Sequence, residues 1–133
     1  YWLVLVAFGV LELSSWRTPL FVTLGGAAFG AVLMGVVSKV YNDDLFMSAF
    51  SRMVVTPLFL FSGTFFPLTN MPIYLQPIGW ISPLWHAAEI GRHFAYGYEI
   101  SQLMLVTHFG FLILVLAFGL RYSSRQFTKR LLK

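Results

Sequence analysis

The sequence predicts an all-α fold: a polytopic transmembrane helix bundle with an external re-entrant helical hairpin between its last two spans. Three observations predict it. The chain is 58% hydrophobic and 18% aromatic but only 11% charged, less than half the roughly 25% of an average soluble domain. Residues 53–88 contain no Asp, Glu, Lys or Arg, a run far longer than the roughly 20 residues a helix needs to cross a bilayer. That run is cut by Pro57, Pro67, Pro72, Pro77 and Pro83. Its first half supplies one crossing. Its second half is too broken for a clean span and too apolar for a solvated loop. Non-helical backbone at membrane depth survives only against protein or a water-filled cavity. The stretch therefore predicts a hairpin that dips in and returns, with something to line or gate.

The remaining composition narrows the class. At 133 residues the chain holds one transmembrane domain, 1–133, and no additional soluble domain of ordinary size. It has no cysteine, so disulfides are excluded. The net charge of +4 does not predict nucleic acid as a partner, because the basic residues cluster at one end, beside a span. The first residue is Tyr1, inside an apolar run with no basic segment before it and no small-residue cleavage site after it, which makes a poor signal peptide. The expectation is the C-terminal part of a longer membrane protein.

Taken in order, residues 1–13 read as the end of a partial span that exits at Glu12, and residues 14–19 as a polar turn. Residues 20–38 form an uncharged crossing. Gly26 and Gly30 make a G-x-x-x-G pair, and Ala27, Ala31 and Gly35 continue the small residues. Such residues let helix backbones approach closely in lipid, either within this chain, the commoner use, or across a dimer. Residues 39–52 form a polar connection in which Asn42, Asp43 and Asp44 suit the start of a helix. Residues 53–66 then cross. Pro57 predicts a kink there, with Thr56 placed to re-satisfy a freed carbonyl.

The re-entrant region is 67–97. Pro72 is expected to start one short helix (73–80) and Pro83 a second (84–95), since a proline in a first turn loses nothing by lacking an N–H. Gly97 is placed to end it. Residues 100–120 form the last span, uncharged apart from any charge on His108. The basic tail is 121–133. It carries Arg121, Arg125, Lys129, Arg130 and Lys133, so the positive-inside rule puts it in the cytoplasm. Working back, 67–99 lies outside, 39–52 inside and 14–19 outside. Five tail residues plus Lys39 and Arg52 give seven basic residues inside, against Arg17 and Arg92 outside. A hairpin that crossed fully would weaken that bias whichever way the protein was turned. Trp80, Trp85, Tyr96 and Tyr98 suit the outer interface.

The residues 57–92, PLFLFSGTFFPLTNMPIYLQPIGWISPLWHAAEIGR, resemble the C-terminal signature of ABC-2 type transport permeases. These are membrane subunits of bacterial exporters for polysaccharides, lipo-oligosaccharides and drugs. Pro57-Leu58, Ser62-Gly63, Phe66-Pro67, Pro72, Pro83-Leu84-Trp85-His86, Glu89 and Arg92 stand at matching positions; Met71 replaces a common leucine. The signature covers about a quarter of the chain, the flanking spans fit the same architecture, and the feel is nearest to the nodulation-factor and antibiotic-resistance permeases. The resemblance implies six spans per complete subunit, a dimer of permease subunits and two ATPase subunits beneath. Residues 1–13 would belong to the third span, and 20–38, 53–66 and 100–120 would be the fourth to sixth. The main coupling helix would precede residue 1. It also implies a bacterial inner membrane location and a cargo left unnamed.

The chain has no G-x-x-x-x-G-K-[ST], so it cannot cradle ATP through a P-loop. It is read as no enzyme, with no cofactor of its own and with ATP and Mg²⁺ on the partner ATPase. His86, Glu89 and His93 share a helical spacing, which suits hydrogen-bonded fixtures better than a metal site. Glu89 and Arg92, at i and i+3, form either an interfacial ion pair or an external gate element. With Pro67, Pro72, Pro83, Trp85 and His86 they make up the candidate gate. Thr56, Pro57, Ser62 and Gly63 are translocation-path candidates, although Thr56, Ser62 and Thr64 could equally back-bond to their own helix. His108 is a functional candidate as an intramembrane ionisable group, or else a neutral imidazole bonded to a neighbouring helix. Asn42, Asp43 and Asp44 are candidates for contact with the ATPase. Arg121, Arg125, Lys129 and Lys133 recur every four residues, a stripe for lipid phosphates or an ordinary stop-transfer anchor.

The function expected from this is a permease subunit of an ATP-driven exporter moving an amphipathic cargo, with a P-loop ATPase, a second permease subunit and membrane lipids as partners. The rival is an ion-coupled secondary transporter or channel whose re-entrant loop binds ions. The scarcity of intramembrane acids argues against it, and a P-loop ATPase in the neighbouring reading frame would decide between them. A non-transporting assembly subunit fits the broken hairpin less well.

Overall fold

The computed structural model describes residues 2–40, 44–65 and 67–132, with the backbone alone at position 130. The described residues are helical throughout, joined by turns. The helices are α1 (Trp2–Ala7), α2 (Arg17–Lys39), α3 (Asp44–Phe50), α4 (Thr56–Leu60), α5 (Gln76–Ile81), α6 (Pro83–Tyr96) and α7 (Gln102–Leu131). Leu13–Lys39 and Gln102–Lys129 are the two described helical stretches long and apolar enough to cross a membrane.

Several elements differ from the sequence expectation. The helical part of segment 1–13 stops at Ala7, well before Glu12. Gly9 adopts a left-handed φ of 70°, and the amides of Gly9 and Val10 bond back to Val6 and Leu5, which closes the helix end. A 3₁₀ turn, Leu13–Trp16, runs straight into α2, so the expected loop at 14–19 is helical. Trp2 Nε1 donates to Ser15 Oγ at 3.0 Å and ties α1 to that turn.

The helix expected at 53–66 starts and ends earlier in the chain, and it is not among the described stretches long and apolar enough to cross. Helical backbone runs from Asp44 through a π turn (Ser51–Val55) to Leu60. Asp44 places a carboxylate in the first turn, where the helix dipole favours it. At the far end Ser62 Oγ bonds Phe59 O at 2.6 Å and Gly63 turns the chain at φ 72°. Pro57 enters behind the π turn: the Thr56 amide reaches the carbonyl of Ser51, five residues back, so the proline's missing donor falls where the ladder is already shifted. Asn42, Asp43 and Phe66 lie outside the described residues.

α2 and α7 pack side by side in the same direction. Phe21 meets Phe109 with ring centroids 5.1 Å apart, Ser123 Oγ donates to Ala31 O at 2.6 Å, and Tyr122 lies over Gly35. A Cβ at Gly119 would come within 2.8 Å of the Val32 amide, which is how closely the backbones approach. α6 lies against both, antiparallel to α2: Ala87 opposes Gly25, Val22 opposes Gly91, and Phe21 meets Phe94. The core is Ala28, Ala87, Ile90 and Leu112. The buried face of α2 is Gly25, Ala28, Ala31, Gly35 and Ser38, so close packing within the chain uses these residues. Gly26 and Gly30, the G-x-x-x-G pair, have open space beside them; the two faces are one residue, or about 100°, apart on a helix.

Candidate functional site

The site is the polar seam between the α5–α6 pair and α7. A single residue, Ser82, separates α5 from α6. Pro77 and Pro83 occupy the first turns of the two helices. Pro72, expected to start the first, lies in a preceding turn in which the Leu75 amide bonds Pro72 O at 2.9 Å, and Gln76 Nε2 reaches back to Met71 O at 3.1 Å. The expected start at residue 73 therefore moves to Gln76. Gly97, at φ 68°, ends α6 as expected.

Ser82 and His86 are buried at the start of α6. Ser82 Oγ donates to Leu58 O at 3.3 Å, linking the pair to α4. The last carbonyls of a helix lack internal donors, and one of these, Trp80 O in α5, is met by His86 Nε2 at 3.0 Å. His86 Nδ1 lies 2.7 Å from His108 Nδ1 on α7. His108 is 3% exposed. Phe111 stacks on His86 at 4.0 Å, and the Trp85 ring packs edge-on against both imidazoles at 4.8 and 5.0 Å. Trp85 packs into this seam with its Nε1 buried and without a partner among the described residues, while Trp80, Tyr96 and Tyr98 are exposed.

On the same helix Arg92 pairs with Glu89, as the i, i+3 spacing predicts, and also donates to the carbonyl of Gly63. One guanidinium thus joins α6 to the turn after α4. His93 Nδ1 bonds Tyr98 O at 2.7 Å, away from His86. A cavity of about 380 Å³ opens between α6, the 97–101 segment and α7; Trp85, Glu89, Tyr98, Glu99, Met104 and His108 are among its walls, with Pro67 at its edge. A larger apolar groove of about 670 Å³ lies between α1, α2 and α6.

The structure therefore brings His86, His108, Trp85, Glu89, Arg92, Gly63 and Pro67 into one region. It does not draw Thr56 into it: Thr56 Oγ1 bonds its own helix at Ser51 O, 3.0 Å away. Ser62 bonds Phe59 O and Thr64. Arg121, Arg125 and Lys129 are exposed along α7, and Lys133 lies outside the described residues. His108 bonds a neighbouring helix, one of the two readings its place in an apolar span allowed; His86, 22 residues away, is the partner that reading did not name.

Two apolar helices of bilayer length, packed in parallel against a helical pair opened by prolines, fit a membrane protein. The chain belongs to the ABC-2 type transporter family, whose profile matches residues 1–96. It is similar to Nodulation protein J of Rhizobium leguminosarum bv. viciae, 27% identical over 84% of this chain and 42% of the relative. It is also similar to Nodulation protein J of R. leguminosarum bv. trifolii, 26% identical over 96% and 49%. The Inner membrane transport permease YadH of Escherichia coli K12 is 32% identical over 70% of this chain and 35% of its own length. The chain spans about half the length, or less, of these curated relatives. No solved structure matches it.

Proposed function

We propose that this chain is the membrane-spanning permease part of an ATP-driven ABC exporter in the bacterial inner membrane, moving an amphipathic cargo such as a lipid-linked saccharide, lipid or drug out of the cytoplasm. It performs no catalysis; ATP and Mg²⁺ bind a separate P-loop ATPase, and a second permease subunit completes the path. Family membership supports the class. The observation that carries the topology is the parallel run of α2 and α7. Two parallel spans need an odd number of crossings between them. The α3–α4 rod supplies one, so the α5–α6 pair returns to the side it entered from, as a re-entrant hairpin does. Gly25, opposite Ala87, lies eight residues into α2, so the hairpin reaches about 12 Å along it at roughly 1.5 Å per residue. With the basic tail inside, the hairpin faces outward, and Arg92 fastens it to the turn after α4. The cytoplasmic end of the rod, at Asp44, then faces the ATPase.

Two measurements test this. Cysteines at Ile73 and Tyr74, both exposed, should react with an impermeant maleimide added outside intact cells; reaction only from the cytosol overturns the assignment of sides. Cargo uptake into inverted vesicles should require ATP and an intact P-loop lysine in the partner. Uptake driven by an ion gradient without the ATPase would replace the exporter reading with the secondary-transporter one.

A further inference from the structure

The larger groove, about 670 Å³, has an apolar body and a polar mouth. Trp2 and Leu5 of α1 form one wall, and Val22, Gly26, Ala88 and Gly91 of α2 and α6 form the others. α1 reads WLVLVA, apolar throughout, yet none of its residues is buried. The Trp2–Ser15 hydrogen bond ties it to the turn before α2, and the groove separates it from α6. Hydrogen-bonding groups around the body are already used. Thr23 Oγ1 donates into its own helix, Thr64 pairs with Ser62, Trp2 Nε1 is taken by Ser15, and Thr18 Oγ1 is enclosed. A polar group entering the body would lose its solvation and find no partner, which is costly. What fills it is hydrocarbon.

The mouth has a different chemistry. It lies at the start of α2, where Thr18 lines the groove together with Ala95 and Tyr96 at the end of α6. Arg17, next in the chain to Thr18, is exposed and meets no carboxylate among the described residues; its guanidinium lies over the Trp16 ring, 5.6 Å from the centroid. Trp16 and Tyr96 are exposed, and such amphipathic rings suit the headgroup level. From Thr18 the groove runs to Gly26, eight residues or about 12 Å along α2. Half of a bilayer's hydrocarbon core is about 15 Å. The groove is thus nearly one leaflet deep, with a free cation at headgroup level and apolar walls below.

We propose that this groove is a binding site for one anionic phospholipid of the surrounding bilayer. Its phosphate meets Arg17, and an acyl chain descends between α1, α2 and α6. The chain supplies the packing that α1 lacks and seats α1 against α6. The site goes beyond the exporter reading: it holds whichever side of the membrane α2 starts on, and it needs no ATPase.

The test uses the full-length protein in nanodiscs of phosphatidylcholine with a minority of phosphatidylglycerol. p-Benzoylphenylalanine replaces Thr23, which lines the groove, and its photo-adducts are identified by mass spectrometry. Phospholipid adducts should be enriched in phosphatidylglycerol about fivefold over its share of the bilayer, as one arginine facing an anionic headgroup provides. Arg17→Gln should abolish the enrichment. Gly26→Phe, placed where a side chain has open space, should fill the body and lower the adduct yield at least fivefold. Adducts with another segment of the same chain, or with a second copy, overturn the proposal by giving the groove a protein occupant. Adducts that mirror the bulk composition, an enrichment that survives Arg17→Gln, or a yield unmoved by Gly26→Phe also overturn it. Should the phenylalanine variant not fold, Arg17→Gln decides alone.

Discussion

Gly25 and Gly26 are neighbours with opposite expected responses to a single methyl group. A Cβ on Gly25 would lie 2.2 Å from Ala87 Cβ, about 1.5 Å short of an ordinary carbon contact. Ala87 is 4% exposed and has no flexible side chain to move, so the helices themselves must part. Overpacking of this kind costs about 1–3 kcal/mol. Against it stands the gain of replacing a helical glycine by alanine, about 0.5–1 kcal/mol. Gly26 has nothing within 4 Å of a Cβ and collects the gain alone. Gly25→Ala should therefore be less stable than Gly26→Ala by about 2 kcal/mol, some thirtyfold in the unfolding equilibrium. The assay is equilibrium unfolding in mixed micelles followed by far-ultraviolet circular dichroism. Ala87→Gly in the Gly25→Ala background should recover most of the loss, because the next atoms, Ala87 Cα and Pro83 O, are 3.5 Å away. Equal stability of the two single variants, or no recovery in the double variant, would refute the packing of α6 on α2.

Arg92→Ala should unpair Glu89 and release the Gly63 carbonyl; measured as leak of a small dye from proteoliposomes without ATP, the resting state should become more permeable, and an unchanged leak together with unchanged export removes the gate role. Reversing charge at Asp43 and Asp44 should uncouple stimulation of the partner's ATP hydrolysis from cargo. Unchanged coupling in that double variant would place the contact elsewhere. Ser123→Ala should cost about 0.6–1 kcal/mol in micelle unfolding, as expected for one interhelical hydrogen bond in a membrane protein. Gly97→Ala should cost about 1 kcal/mol by straining a left-handed cap, read as a lower unfolding midpoint.

The long elements were legible because each is a plain consequence of composition. The uncharged run before Lys39 can be nothing but a buried or lipid-facing helix, and Ser101, whose hydroxyl caps α7 through the Met104 amide, marks where the last one starts. Pro83 started the second short helix as expected, but the start of the first was read one proline too early. Pro72 and Pro77 both fit a first turn by their geometry; the choice of Pro77 depends on Gln76 bonding Met71 O, a contact no local rule ranks. The helix bounds at 53–66 were misplaced because the hydrophobic run was weighed above the start signal at Asp44 and the stop at Ser62-Gly63. The G-x-x-x-G pair does not take part in packing within the chain for a different reason: Gly25 and Gly26 are equally small, and only the direction from which α6 approaches decides between them. Of the site, the Glu89–Arg92 pair followed from spacing along one helix. The His86–His108 pair needed the hairpin folded back onto the last span, which is tertiary information.

The π turn at Ser51–Val55 sets the two ends of the α3–α4 rod out of phase. An i→i+5 turn accommodates one residue more than an α turn, and one residue corresponds to roughly 100° of rotation. The stripe of side chains that Leu45 and Phe46 begin is therefore not continued by Phe59 and Leu60; it is handed round the cylinder midway. A rod built this way turns its lower and upper surfaces in different directions, and a twist that regularised those five residues would turn one end against the other like a key.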